Sequence, residues 1–279
     1  KGIARDFTVE FVKGLKNVCT EVCIVVNGKL TDESYAKFKT VVDNVWIRKN
    51  IGFDVWAYKE MIAHLGWEYV RSFNELVLCN FTCYGPVYPF NEMFDKMEKK
   101  ECDFWGAVKH PEQPVYLLPN KKGYIHEHLM SYFIVVRERM LKSEDFKLYW
   151  ECVPEINTKR ESTAYHETVF TKHFEDLGYK SDAYVDLERY KNRCFNSSII
   201  LAKSSLSLAI KPSTPGFSEI PKIDSRISTA ATVVPAVSKI SKNATLNFPI
   251  EISPCTRFSL KNLSNMRPPP DSPDHSHIY

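Results

Sequence analysis

Short apolar runs and amphipathic stretches alternate from Asp6 to Val185. Asp6 to Lys16 carries Phe7, Val9, Phe11, Val12 and Leu15 at helical spacing, and Val22 to Val26 reads as a buried β-branched strand ending in the turn pair Asn27-Gly28. Thr31 is placed to cap a helix with Ser34 at its third position, with Phe38, Val41 and Val42 as the apolar face. Val45 to Arg48 is a second strand, Asp54 to Leu65 a helix closed by Gly66, and Glu75 to Cys79 a third strand. Pro89 to Lys99 reads as helix and Asp103 to Val108 as strand. Ser131 to Val136 is a continuous apolar strand suited to burial on both faces. Ser143 to Cys152 and Ala164 to Leu177 are helices, and Lys180 to Val185 a last strand. Strand and helix in turn predict a mostly parallel α/β sheet.

Polar chemistry gathers where strands end, and open α/β sheets bind ligands at the carboxyl ends of their strands. The run Leu76-Val77-Leu78 gives way to Asn80 and Thr82, then to Gly85-Pro86. Asn80 and Thr82 offer neutral oxygens, whereas magnesium and manganese favour charged ones; a local turn closed by Asn80 is the plainer alternative. In RKNIGFDVWAYKE, Arg48 to Glu60, Gly52 permits a positive φ and Asp54 stands at a helix start. Asp54 either accepts from a ribose or base or caps its own helix, and the free N–H groups there suit a phosphate. Trp105, in DFWGAVKH, is either core or a stacking platform for a sugar, with Lys109 and His110 following. His126 and His128 flank Glu127 in either a metal cluster or a loop before a strand. Glu167, read near a helix N-terminus, would be held as a carboxylate by the dipole. That suits a general base for an acceptor hydroxyl, or a first-turn carboxylate with no further task.

Composition narrows this picture. The 37 basic and 34 acidic residues give a formal charge of +3 and no basic stripe, so nucleic acid is not an expected partner. The eight cysteines are scattered, and the spacings Cys19/Cys23 and Cys79/Cys83 lack a histidine pair at zinc-finger distance. Free thiols in a reducing compartment are expected. No run is long enough to span a membrane, and the early charges of Lys1-Gly2-Ile3-Ala4-Arg5-Asp6 do not make a signal peptide. The missing initiator Met predicts a fragment. All five tryptophans precede Cys194, and the only later tyrosine is Tyr279. Residues 195–279 are rich in Ser, Pro, Thr and Asn, and two readings stand: a poorly ordered tail, or a frame-shifted end.

The segments VCIVVNGKLTDESYAKFK, RKNIGFDVWAYKEMI, LVLCNFTCYGPVYPFNEMFDKME, CDFWGAVKHPE, HLMSYFIVVRERML and TKHFEDLGYKSDAYV resemble, in this order, the rhamnan synthesis protein F family, over roughly residues 15–194. The resemblance implies a bacterial glycosyltransferase of envelope polysaccharide assembly with a GT-A, Rossmann-like nucleotide-sugar-binding sheet over residues 1–194. It implies an inverting transfer from a nucleotide-sugar, dTDP-rhamnose in particular, to a saccharide or lipid-linked acceptor. The expected place is the cytoplasm at the inner membrane face, with peripheral membrane association. Asn27, Gly28, Arg48, Gly52, Phe53, Asp54, Asn80 and Thr82 would surround the donor; Arg48, Lys49 and Lys109 would offset the diphosphate charge. Asn80 and Thr82 would stand in the place of a manganese or magnesium motif. Trp105, Lys109, His110, Ser131 and Tyr132 would lie beside the sugars, with Glu167 as base. Two departures are visible: Phe81 occupies the central position of a family pattern that is usually Asn-Asp-Ser, and Glu167 is the single carboxylate of its segment, preceded by His166. The rival expectation is a catalytically inactive or truncated nucleotide- or sugar-binding remnant.

Overall fold

The computed structural model describes residues 2–82, 85–114, 124–187 and 231–237, all within a first compact unit, Lys1–Ser241. The remainder of the tail, Cys83, Cys194 and Cys255 lie outside the described residues, and so does the expectation of a disordered or frame-shifted end. The helices are α1 (Asp6–Lys16), α2 (Asp32–Lys39), α3 (Phe53–Leu65), α4 (Trp67–Val70), α5 (Phe90–Glu98), α6 (Glu138–Leu141), α7 (Glu144–Cys152), α8 (Lys159–Ser162) and α9 (Thr168–Asp176). A π turn, Thr163–Glu167, joins the last two. The strands are β1 (Glu21–Asn27), β2 (Asn44–Arg48), β3 (Glu75–Asn80), β4 (Phe104–His110), β5 (Gln113–Pro114), β6 (Tyr124–Ile125), β7 (His128–Leu129), β8 (Phe133–Arg137), β9 (Ser181–Val185) and β10 (Ala231–Val237).

Among the described residues the main sheet runs β2-β1-β10-β3-β8-β4-β7, with β9 beside β4. β1 and β2 are parallel, as are β4 and β9; β8 lies antiparallel to both β3 and β4. β10 runs antiparallel between β1 and β3, with Pro235 opposite Val22. The carboxyl ends of β1, β2, β3 and β4 therefore open on one edge. Asn27, Arg48, Asn80 and His110 are the last residues of those strands.

Period-two alternation divides the core into two layers. Cys23 and Val25, Leu76 and Leu78, and Ile134 and Val136 face α3, α7 and α9. Val22, Ile24 and Val26, Val77 and Cys79, and Phe133 and Val135 face α1 and α5. The same parity turns Asn27 and Asn80 toward α3. Helix starts follow the local chemistry: Thr31 Oγ1 accepts from the Ser34 N–H, Ser143 Oγ from that of Phe146, and Thr158 closes a capping box with Glu161.

Four expectations shift. The sheet is mixed rather than mostly parallel, because β7 and β8 return beside β4 with no crossover helix among the described residues and β10 enters antiparallel from far along the chain. α2 stops at Lys39, so Val42 reaches the core from beyond the helix. The apolar strand begins at Phe133 and leaves Ser131 in a turn. β10 has no counterpart in the sequence reading, because Pro235 interrupts an isolated apolar run.

Phe104 is fully buried, edge-on to Phe170 and Phe174. Phe104→Ala should cost about 3–5 kcal/mol by urea denaturation; a loss under about 1 kcal/mol would mean that β4 and α9 are not packed as described.

Candidate functional site at the carboxyl edge of the sheet

The site is organised by a buried cation. The Arg48 side chain, 4% exposed, ends β2 and meets Glu60 on α3, itself 36% exposed. Its Nε donates to Glu60 Oε2 at 2.8 Å and one Nη2 hydrogen to Glu60 Oε1. Nη1 donates to Asn27 Oδ1 at 2.5 Å and to the Phe53 carbonyl at 3.5 Å, and Nη2 also to the Ile51 carbonyl at 2.8 Å. Five donors thus meet five acceptors. Asn27 Nδ2 adds a bond of 3.0 Å to the Phe53 carbonyl. Arg48 and Asn27 are therefore turned inward on the chain, where they hold the turn that leads into α3.

That turn is strained. Gly52 has φ 71° and Phe53 φ 55°, the one positive φ of a non-glycine among the described residues. A Cβ on Gly52 would sit 2.1 Å from Trp56 Cγ, and Trp56 is pinned by its indole N–H to the Pro154 carbonyl at 2.9 Å. Two left-handed residues persist because Arg48 and Asn27 hold the Phe53 carbonyl from both sides. Gly28 lies beside them, its N–H donating to the Arg48 carbonyl at 2.8 Å.

The turn delivers Asp54. Its Oδ1 accepts from the Val55 N–H at 3.1 Å and its Oδ2 from Asn80 Nδ2 at 2.8 Å, so it stands in the first turn of α3, inside the Gly52 cap, and reaches across to β3. Burial pushes the Asp54 carboxyl above the usual range, the Asn80 bond opposes this, and the nearby Glu167 charge raises it further. Asn80 Oδ1 accepts from both the N–H, at 3.0 Å, and the hydroxyl of Thr82, which is the local turn expected of an Asn. The Asn80 N–H donates to the Tyr132 carbonyl at 3.1 Å.

Glu167 approaches from the other side. The Ser131 N–H, at 3.2 Å, and the Ser131 hydroxyl both donate to its Oε2. The sequence reading put Glu167 in the first turn of a helix. The helical run in fact opens at Thr158, and Glu167 ends a π turn two turns inside it. Ser131, not the helix dipole, meets the carboxylate. Thr168 Oγ1 bonds the Thr163 carbonyl at 3.1 Å, filling the widened turn. His166 points the opposite way into the core, where its Nδ1 and Tyr149 Oη share a hydrogen bond of 2.7 Å, and burial pushes its imidazole down to about 3.

Other expected residues divide sharply. Trp105 is fully buried between Phe94 and Phe133 on the α5 side of the sheet, and so forms core away from Asp54 and Glu167. The Tyr132 side chain packs into the same layer. Lys109 is paired with Glu127 at 3.2 Å and Glu175 at 3.5 Å. Lys49 is exposed at the end of β2. Two partners escaped the sequence reading: Glu60, which a buried Arg48 requires, and Tyr149, which a buried His166 requires. Among the described residues no three His, Cys, Asp or Glu side chains are grouped to hold a metal. Asn80 and Thr82, turned on each other and uncharged, do not fit a magnesium or manganese site.

Residues 22–234 match the family described as rhamnan synthesis protein F. The chain belongs to that family. The match runs past Cys194, where the sequence resemblance ends, and into β10. An uncharacterized protein, y4gN, of Sinorhizobium fredii (strain NBRC 101917 / NGR234) is 26% identical over 158 residues, which cover 57% of this chain and 39% of that relative. The chain thus spans well under half of that relative. No solved structure matches.

Two measurements check this geometry. Arg48→Met leaves Asn27 and Glu60 without their donor and should cost about 2–3 kcal/mol, less than a fully buried pair because Glu60 is partly exposed; a loss within about 0.5 kcal/mol would contradict the bracket. His166 is neutral in the folded chain down to about pH 3, whereas an unfolded histidine takes up a proton near 6.5. Its contribution is whole above 6.5 and is lost as pH falls toward 3. Between pH 7 and pH 5 the native chain should lose about 2 kcal/mol more stability than His166→Gln, and equal losses would show that His166 is not buried neutral.

Proposed function

We propose that the chain is a glycosyltransferase domain of GT-A type that moves a sugar, rhamnose by family, from a nucleotide-sugar to a growing cell-surface polysaccharide with inversion. The observation that carries this reading is the pair of hydrogen bonds from the Ser131 N–H and hydroxyl to a single oxygen of Glu167, which leaves Oε1 open at the edge where Asp54 and Asn80 also meet. A carboxylate fixed through one oxygen and open at the other is suited to take a proton from an acceptor hydroxyl.

In this reading the acceptor oxygen forms a bond to the anomeric carbon as its proton passes to Glu167 Oε1. The bond from that carbon to the phosphate oxygen breaks, and the nucleoside diphosphate, dTDP for a rhamnosyl donor, leaves with the electron pair. Asp54 accepts from the ribose or base at the mouth of the Gly52–Phe53 turn. The positive end of α3 and the exposed Lys49 lie where they can meet the diphosphate charge. Arg48 and Lys109 act through the frame instead, because their donors are engaged within it. The acceptor is a saccharide or lipid-linked saccharide. No helix among the described residues is long and apolar enough to cross a membrane; peripheral association at the inner membrane face is part of this proposal.

Phe81, beside Asn80, favours the second reading, a nucleotide-binding remnant without turnover. The purified chain incubated with nucleotide-sugars, with and without manganese, is expected to release nucleoside diphosphate when an acceptor is present. Glu167→Gln should lower kcat by about 10²–10⁴. Nucleotide binding with no release from any donor would favour the remnant, and full activity in Glu167→Gln would remove Glu167 as base.

A further inference from the structure

Asn80 ends β3, is 6% exposed, and has one amide orientation that its neighbours allow. The Thr82 N–H can only donate, and it lies 3.0 Å from one end of the amide, so that end is the oxygen. The Thr82 hydroxyl meets the same atom. The other end, Nδ2, is thereby turned to Asp54 Oδ2 at 2.8 Å. A flipped amide would set its nitrogen against the Thr82 N–H and its oxygen against the carboxylate.

Asp54 in turn takes one N–H on each oxygen, from Val55 at 3.1 Å and from Asn80. A proton on either oxygen would weaken it as an acceptor, so one donor per oxygen favours the ionised form. The two bonds also fix the plane of the carboxylate, because one comes from α3 and the other from β3. The backbone of Asn80 reaches toward the opposite wall. Its N–H donates to the Tyr132 carbonyl at 3.1 Å, and Ser131, the residue before Tyr132, holds Glu167. One residue thus bonds both to Asp54 and to the segment that holds the base.

We propose that Asn80 is a positioning residue: its amide, set by Thr82, holds Asp54 as an oriented, ionised acceptor for hydrogen-bond donors on the nucleoside. The nucleoside enters from the transferase reading, on which this role rests; the orienting bond does not depend on it. Burial raises the proton affinity of Asp54, the Asn80 bond works against this, and the Glu167 charge on the π turn adds to it. An acid in place of Asn80 would defeat the arrangement. Two carboxylates 2.8 Å apart cannot both ionise, so Asp54 would have to share a proton. A neutral amide at the end of β3 therefore has a reason within the chain itself.

The test compares the full chain with Asn80→Ala and Asn80→Asp, each shown to unfold cooperatively, with a chelator present to keep divalent cations off the introduced carboxyl. Carboxyl ¹³C NMR, with the Asp54 signal assigned through Asp54→Asn, reads the orienting bond without a ligand. Asp54 should titrate at higher pH in Asn80→Ala than in the native chain, because a donor that favours its charge is gone. An unmoved titration would overturn the proposal. Calorimetry with dTDP reads the consequence. Above neutral pH both variants should bind dTDP about tenfold more weakly than the native chain. Asn80→Asp, but not Asn80→Ala, should recover toward native affinity as pH falls and a shared proton restores a donor between the two carboxyls. A merely structural role gives no such recovery. Equal affinity in all three chains, or an Asn80→Asp loss that never recovers, would overturn the positioning role. A native chain that binds no dTDP, with the Asp54 titration moved as expected, would keep Asn80 as the orienting group and remove the transferase reading.

Discussion

The carboxyl edge of this sheet depends on one buried guanidinium. Arg48 ends an outer strand, where its charge has to be compensated within the chain. Glu60 supplies the charge, and Asn27 with the carbonyls of Ile51 and Phe53 supplies the remaining acceptors. Because these partners come from β1, from α3 and from the turn between β2 and α3, satisfying Arg48 fixes all three relative to one another. The two left-handed residues, Gly52 and Phe53, are stable only inside that bracket. Asp54 follows them directly, so its reach to Asn80 is a consequence of how Arg48 is satisfied.

The opposite wall uses a different device. A π turn inserts one extra residue into the α8–α9 run and separates neighbours into different environments. His166 is driven into the aromatic core against Tyr149, and Glu167 is presented at the edge to Ser131. The same face of α9 holds the β7 segment through Thr171. Two carboxylates, Asp54 and Glu167, are thereby brought close enough that the second raises the proton affinity of the first.

Much of this was legible in the chain. Alternating runs located the longer strands and helices of residues 6–185 to within a few positions, and Thr31 caps as its side chain allows, but the short α4, α6, α8, β5, β6 and β7 carry too few residues to show a period. Gly52 showed where a positive φ was needed, and Asn80 with Thr82 marked the edge. Partnership was not legible. Arg48 looked like a ligand for phosphate because a sequence does not show that Glu60, twelve positions on, faces it. Trp105 could be core or platform until parity put it in the layer away from Asp54. Glu167 looked like a first-turn residue because a π turn leaves no simple period. β10 escaped because strand pairing across such a separation has no local signal, and Pro235 breaks the apolar run that would mark a strand.

The central claim is that the Gly52–Asp54 turn and the Ser131–Glu167 pair form the two walls of one site. A crystal structure of the chain with a bound nucleoside diphosphate tests this most directly. The account predicts the diphosphate between the start of α3 and the π turn, with Glu167 Oε1 facing the space beyond its terminal phosphate. A nucleotide held away from Asp54, or a Glu167 too distant to reach the sugar position even through one water, would contradict it.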